Sequence, residues 1–201
     1  MILDHHGKSP DIHPTARIAP NATVCGDVAI GANTSIGFGA VLTAESGPIV
    51  VGANCVVMDT AVLRGVRGNP LTIGDNVLVG PRSHLTGCTI EDNCFVATGA
   101  SVFNGAKIGT NSEVRINGVV HLRTVLAPGT TVPIGWVAVG DPAEILPPDR
   151  HDDIWDIQKG LDFPKHVFGI DRPAPGESMM PRVMPRYAAM LARHEDDRPA
   201  E

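Results

Sequence analysis

The sequence predicts an all-β coil of short parallel strands that carries a C-terminal α-helical extension. Three observations predict it. An aliphatic residue recurs at six-residue intervals between Ile12 and Val132 with three breaks, a small residue stands four positions after most of them, and aromatics make up only 4% of a chain with 22 Gly and 17 Pro. A helix would repeat every 3.6 residues and a half-buried strand every two, so neither produces this interval. With few aromatic rings, the core must be filled by Ile, Val, Leu and Ala.

The aliphatic series run Ile12, Ile18, Val24, Ile30, Ile36, Leu42; then Val51, Val57, Leu63; then Ile73, Val79, Leu85; then Ile90, Val96, Val102, Ile108, Val114, Val120, Leu126, Val132. The companion positions hold Ala16, Ala22, Val28, Thr34, Ala40, Cys55, Ala61, Val77, Ser83, Cys94, Ala100, Ala106, Ser112, Gly118, Thr124 and Thr130. Each hexad reads as one strand and one turn. Three hexads close a triangular rung, and stacked rungs bury together what none could bury alone. Gly31, Gly37, Gly52, Gly74, Gly80 and Gly109 follow the aliphatic and are read as turn residues of positive φ.

The elements follow in chain order. Residues 1–11 precede the repeat as an N-terminal segment, and residues 12–146 form the coil. The interval widens to nine from Leu42 to Val51 and ten from Leu63 to Ile73, and narrows to five from Leu85 to Ile90. The first two breaks are loops, 43–50 and 64–72, at one corner of successive rungs. Residues 147–201 form the extension. "LPPDRHDDIWDIQKGL" reads as prolines followed by a helix with acids in its first turn, and "PRYAAMLARHEDDR" as a second, amphipathic helix. The stretch between them is Pro/Gly-rich and reads as irregular, and the last seven residues as frayed.

Composition excludes several classes. Net charge is −6, against a nucleic-acid surface. No run approaches the roughly 20 apolar residues of a membrane span, and the N-terminus lacks a secretory pattern. Cys25, Cys55, Cys88 and Cys94 form no CxxC pair and are expected as thiols of a cytoplasmic protein. No phosphate loop, dinucleotide fingerprint or serine nucleophile elbow is present.

Residues 12–146 resemble the γ-class carbonic anhydrase family of hexapeptide-repeat proteins. The resemblance rests on "IVVGANCVVMDTAVL", on "TIGDNVLVGPRSHLTGCTIEDNCFVATGASVFNGAKIG" and on the terminal "VAVGDPAEI". It implies a left-handed parallel β-helix, a homotrimer and a zinc site between subunits. The family's three zinc histidines fall, in this chain, on Arg64, Pro81 and Thr86. Its Arg-Gly-Asp falls on Thr43, Ala44 and Glu45, and only Asp59 is retained. Zinc takes N, S or carboxylate O donors at about 2.0–2.3 Å. A guanidinium, a proline ring and an alcohol do not supply them, so no metal and no cofactor are expected there, and no hydration of carbon dioxide by the usual route.

Counting hexads places Thr43, Arg64, Thr86, Phe103 and His121 in one column at about 4.8 Å per rung. By resemblance that edge meets a neighbouring subunit, with Asp59, Pro81 and Thr98 approaching from across the interface. Arg64 can clamp a carboxylate or phosphate, with Thr43 and Thr86 as hydroxyl donors, or can form an ion pair with Glu45 or Asp59. His84 and His121 are the candidate general bases; hydrogen-bonded or interface histidines are the plainer reading of both. His5, His6 and His13 read as a terminal segment. Three functions fit: a metal-free trimer binding or acting on a small anionic molecule at the subunit interface, an acyltransferase or thioesterase using acyl-CoA, and a non-catalytic assembly subunit.

Overall fold

The structure, a computed structural model, describes residues 1–200. Its strands, each two to four residues long, form three mostly parallel sheets that make the sides of a β-solenoid. The register of each sheet is the hexad register. Ile12, Ile30, Val51, Ile73, Ile90, Ile108 and Leu126 are successive partners on one side. On the second side the partners are Ile18, Ile36, Val57, Val79, Val96, Val114 and Val132. On the third they are Val24, Leu42, Leu63, Leu85, Val102, Val120 and Ala138. From Ile30 onward every one of these side chains is buried, as is Val24, and together they form one continuous core. Burying each Leu or Val contributes about 1.5–3 kcal/mol relative to exposure.

The small companion residues tuck into the corners. Where they are Ser or Thr, the hydroxyl donates to a backbone carbonyl: Thr34 to Gly52 at 2.7 Å and Ser83 to Ala97 at 2.9 Å. A buried hydroxyl with a partner avoids the desolvation penalty of an unpaired one. The four cysteines are buried and free, as expected of thiols.

The glycines after the aliphatics work differently from the expectation. Gly31, Gly37, Gly52, Gly74, Gly80 and Gly109 do not have positive φ. A Cβ on Gly31 would lie 2.6 Å from the backbone of Gly52 in the next rung, and one on Gly80 would lie 2.6 Å from that of Ala97. These glycines permit close stacking. The left-handed turn conformation falls instead two positions later, on Asn33, Asn54, Asn76, Arg82 and Asn111, and at the equivalent place after Glu91 on Asn93. Asn tolerates that region better than most residues. Asn33 also donates its amide to Asn54 at 3.3 Å, and Asn76 to Asn93 at 3.2 Å, which ties the corners of successive rungs together.

The two long loops do stack at one corner. The Arg67 N–H donates to the Ser46 hydroxyl at 2.9 Å and the Leu71 N–H to the Pro48 carbonyl at 3.0 Å.

The extension contains three α-helices, α1 (His151–Gln158), α2 (Phe163–Phe168) and α3 (Met180–Leu191). The expected first helix is α1. The stretch expected to be irregular contains α2. The last helix begins upstream of Pro185, which stands inside it, and not after it. Residues 198–199 are not frayed: they pair antiparallel with Ile2–Asp4, which is itself the parallel neighbour of Thr23–Cys25. No helix among the described residues is long and apolar enough to cross a membrane.

Candidate functional site

The column drawn from the hexad count is real. Cys25, Thr43, Arg64 and Thr86 are direct register partners on the third sheet. Phe103 and His121 follow one residue after the next paired positions, Val102 and Val120. In this chain, α2 and α3 fold over part of that edge and leave a cleft of about 670 Å³ between coil and extension.

One wall of the cleft is the column: Glu45, Arg64, His84, Thr86 and Phe103. The opposite wall comes from the extension, with Phe163, Phe168, Val183 and Tyr187 supplying apolar surface. Phe168 lies edge-on to both Phe163 and Tyr187, with ring centroids 5.6 and 6.4 Å apart. Arg64, Arg67, Arg182, Arg186 and Arg193 also line the space, against the single carboxylate Glu45. The cleft is therefore cationic and partly aromatic.

Arg64 donates to Glu45 Oε1 at 2.6 Å, the ion pair expected as one of its two readings, formed within a single chain. Glu45 is buried, and its Oε1 also lies 3.3 Å from His194 Nε2. The remaining guanidinium N–H groups of Arg64 make no hydrogen bond among the described residues, so they are available to a ligand.

His84 Nε2 is 2.7 Å from the Thr86 hydroxyl. Burial, helped by the Arg64 charge, holds the His84 imidazole below its ordinary pKa. His84 is therefore a neutral imidazole facing the cleft, a protonation state suited to accepting a proton. His121 is further along the column and does not line the cleft. Its pKa is also lowered by burial, and its Nδ1 is buried without a partner. Phe103 separates the two histidines, with its ring 6.1 Å from His84 and 6.4 Å from His121, so they do not act as a pair.

The other expected residues are elsewhere. Thr43 is in the column but does not line the cleft. Asp59 is at another corner, where its Oδ1 accepts the Phe38 N–H at 2.7 Å. Pro81 contributes its carbonyl to the Gly99 N–H at 3.0 Å. At the three positions where the family carries zinc ligands, Arg64 is an ion-paired cation, the Thr86 hydroxyl is engaged by His84, and Pro81 has no donor. This set does not fit zinc.

Sequence reasoning missed His166, whose buried Nε2 has no partner and whose pKa burial lowers, and the cationic face of α3. A signal for that face was present: Arg182 and Arg186 stand four residues apart on one side of the helix, with Arg193 in the turn that follows.

Fold and column define a hexapeptide-repeat β-solenoid protein, and the bacterial transferase hexapeptide model matches residues 9–44 and 70–104. The chain is 31% identical over 159 residues to a carbonic anhydrase of Geobacillus kaustophilus, covering 79% of this chain and 84% of that one. It is 34% identical over 151 residues to the mitochondrial γ carbonic anhydrase 1 of Arabidopsis thaliana, 72% of this chain and 53% of that protein, so it spans about half the plant relative. A solved Bacillus cereus structure, provisionally assigned as an acetyltransferase, superposes with a TM-score of 0.50 at 27% identity, over 76% of this chain and 87% of that one. The chain belongs to the γ-carbonic-anhydrase-like family of hexapeptide-repeat proteins.

Proposed function

We propose that this protein binds a small anionic molecule with an apolar body in the cleft between coil and extension, and does not hydrate carbon dioxide through a zinc site at the family's positions. The carrying observation is the pairing of five arginines and one carboxylate with an aromatic wall. Arginine clamps carboxylates and phosphates in a two-pronged geometry, and the aromatic wall would bury the rest of the molecule. His84 is the group placed to move a proton on such a ligand. The assembly proposed is the homotrimer implied by the family.

A second reading, acyl transfer from a CoA thioester, is favoured by the same combination of cationic and apolar lining and by the likeness to the Bacillus cereus structure. Thermal melts with inorganic phosphate, short-chain carboxylates, CoA and acetyl-CoA separate the two, because a ligand that binds only the folded state raises the melting temperature. The first reading expects stabilisation by simple anions that is lost in Arg64→Ala and Arg186→Ala. Stabilisation by acetyl-CoA alone, lost in His84→Ala, selects acyl transfer. No shift with any of them overturns both.

A further inference from the structure

Next to the cleft, three chain segments bring four metal-binding side chains to one point. His5 comes from the N-terminal hairpin closed by the His5–Lys8 bridge, and Cys25 from the strand Thr23–Cys25. His194 and Asp197 come from the turn that follows α3. We propose that His5, Cys25, His194 and Asp197 form a binding site for a divalent transition-metal ion of the zinc class.

One donor atom from each residue lies within 4.8 Å of the other three. His5 Nδ1 is 2.6 Å from Asp197 Oδ1; His194 Nδ1 is 2.7 Å and Cys25 Sγ 3.3 Å from Asp197 Oδ2. The two imidazoles stack face to face with centroids 4.3 Å apart. Donors around a tetrahedral ion with bonds of about 2.0–2.3 Å are roughly 3.3–3.8 Å apart, so the shorter contacts need open by only about 1 Å. Two imidazoles, a thiolate and a carboxylate are a donor set that suits zinc or cobalt.

The plainer alternative is a hydrogen-bonded clamp that fastens residues 192–199 to the N-terminal strand. A clamp needs one donor and one acceptor. Here two imidazoles and a thiol all turn on one carboxylate. A metal-ligating histidine commonly gives its other ring nitrogen to a carboxylate that fixes its orientation. His194 has that arrangement, with Nδ1 toward the cluster and Nε2 toward Glu45, which Arg64 holds in turn. His5 and Cys25 are buried, at 4% and 2% exposure, whereas His194 stands on the open side and provides a way in.

Binding releases the Cys25 proton to solvent: the S–H bond breaks and a sulfur–metal bond forms. Burial and the neighbouring Asp197 push the free thiol up to about 12, a bias that a divalent cation reverses. The inference is independent of what occupies the cleft.

The test is cobalt titration of the reduced, chelator-treated full chain, read by absorbance and by melting temperature. The expected result is a thiolate-to-cobalt charge-transfer band that saturates at one equivalent, a raised melting temperature, and loss of the band when zinc is added. Cys25→Ser should abolish the band. His194→Gln, a change on the open side that leaves the buried groups in place, should weaken cobalt binding by at least about tenfold. The proposal is overturned if cobalt gives neither band nor stabilisation, if the band survives Cys25→Ser, or if His194→Gln binds as tightly as the wild type.

Discussion

At the scale of single residues, Arg64 is the most consequential side chain on the column. Removing it leaves buried Glu45 with only the longer His194 contact. Arg64→Ala should therefore cost about 2 kcal/mol, on the order of 4–8 °C in melting temperature, besides any loss of ligand binding. Calorimetry checks the first effect and ligand titration the second. His121 makes a pH prediction. Its native pKa is lowered by burial, so as pH falls through about 6.5 the unfolded chain takes up the proton before the folded one does. Stability from the neutral buried ring is present above that pH and is lost as pH falls toward the lowered native value. His121→Gln should show a shallower loss of melting temperature between pH 7.5 and 5 than the wild type. Arg64, Thr86 and His84 could be read from the sequence because each lies beside an aliphatic of the third hexad, Leu63 or Leu85, whose place in the repeat fixes which residues share an edge. His194 and Asp197 could not, because residues beyond the coil carry no period that says where they return to it.

At the scale of elements, the stacked loops are the tightest join. The Gly65 Cα approaches the Gly47 carbonyl and the Gly47 Cα the Val66 carbonyl, with no room for a Cβ on either. Gly65→Ala should force the two loops apart, cost roughly 1–3 kcal/mol by overpacking, and move Arg64, its chain neighbour, away from Glu45. Melting temperature and the loss of any anion-induced stabilisation would both report it. Helix α3 is held chiefly by its one buried residue, Val183. Val183→Asp should free α3 to proteolysis while the coil's far-UV circular dichroism is kept; retained protection would show that the arginine face suffices to dock it. The strand positions were legible because buried aliphatics must align from rung to rung. The start of α3 was not, since Pro185 was read as a boundary. The proline ring is instead carried within a helix whose first turn already contains Pro181, at a position that needs no N–H partner.

At the scale of the whole molecule, the second sheet carries exposed apolar residues in neighbouring registers, Val56 and Phe95 flanking Leu78, with Met58 and Phe38 nearby. The proposed homotrimer predicts three times the 21.1 kDa chain mass in sedimentation equilibrium. Val56→Glu combined with Phe95→Glu should reduce it to one if this face is the contact. Within a protomer, the solenoid couples each rung only to its neighbours. Leu63→Ala, at a fully buried position in the middle of the stack, should cost about 2–5 kcal/mol in chemical denaturation.

The chain of contacts from Arg64 through Glu45 and His194 to Asp197 and His5 carries one last consequence. A single carboxylate, Glu45, is shared between a cationic cleft and a convergence of metal-type donors. An anion that draws the guanidinium toward itself changes how firmly Glu45 holds the imidazole behind it. By thermodynamic reciprocity, an ion that fixes that imidazole changes the anion's affinity by the same factor. Two occupants that never touch would thus be read by one another through a shared oxygen.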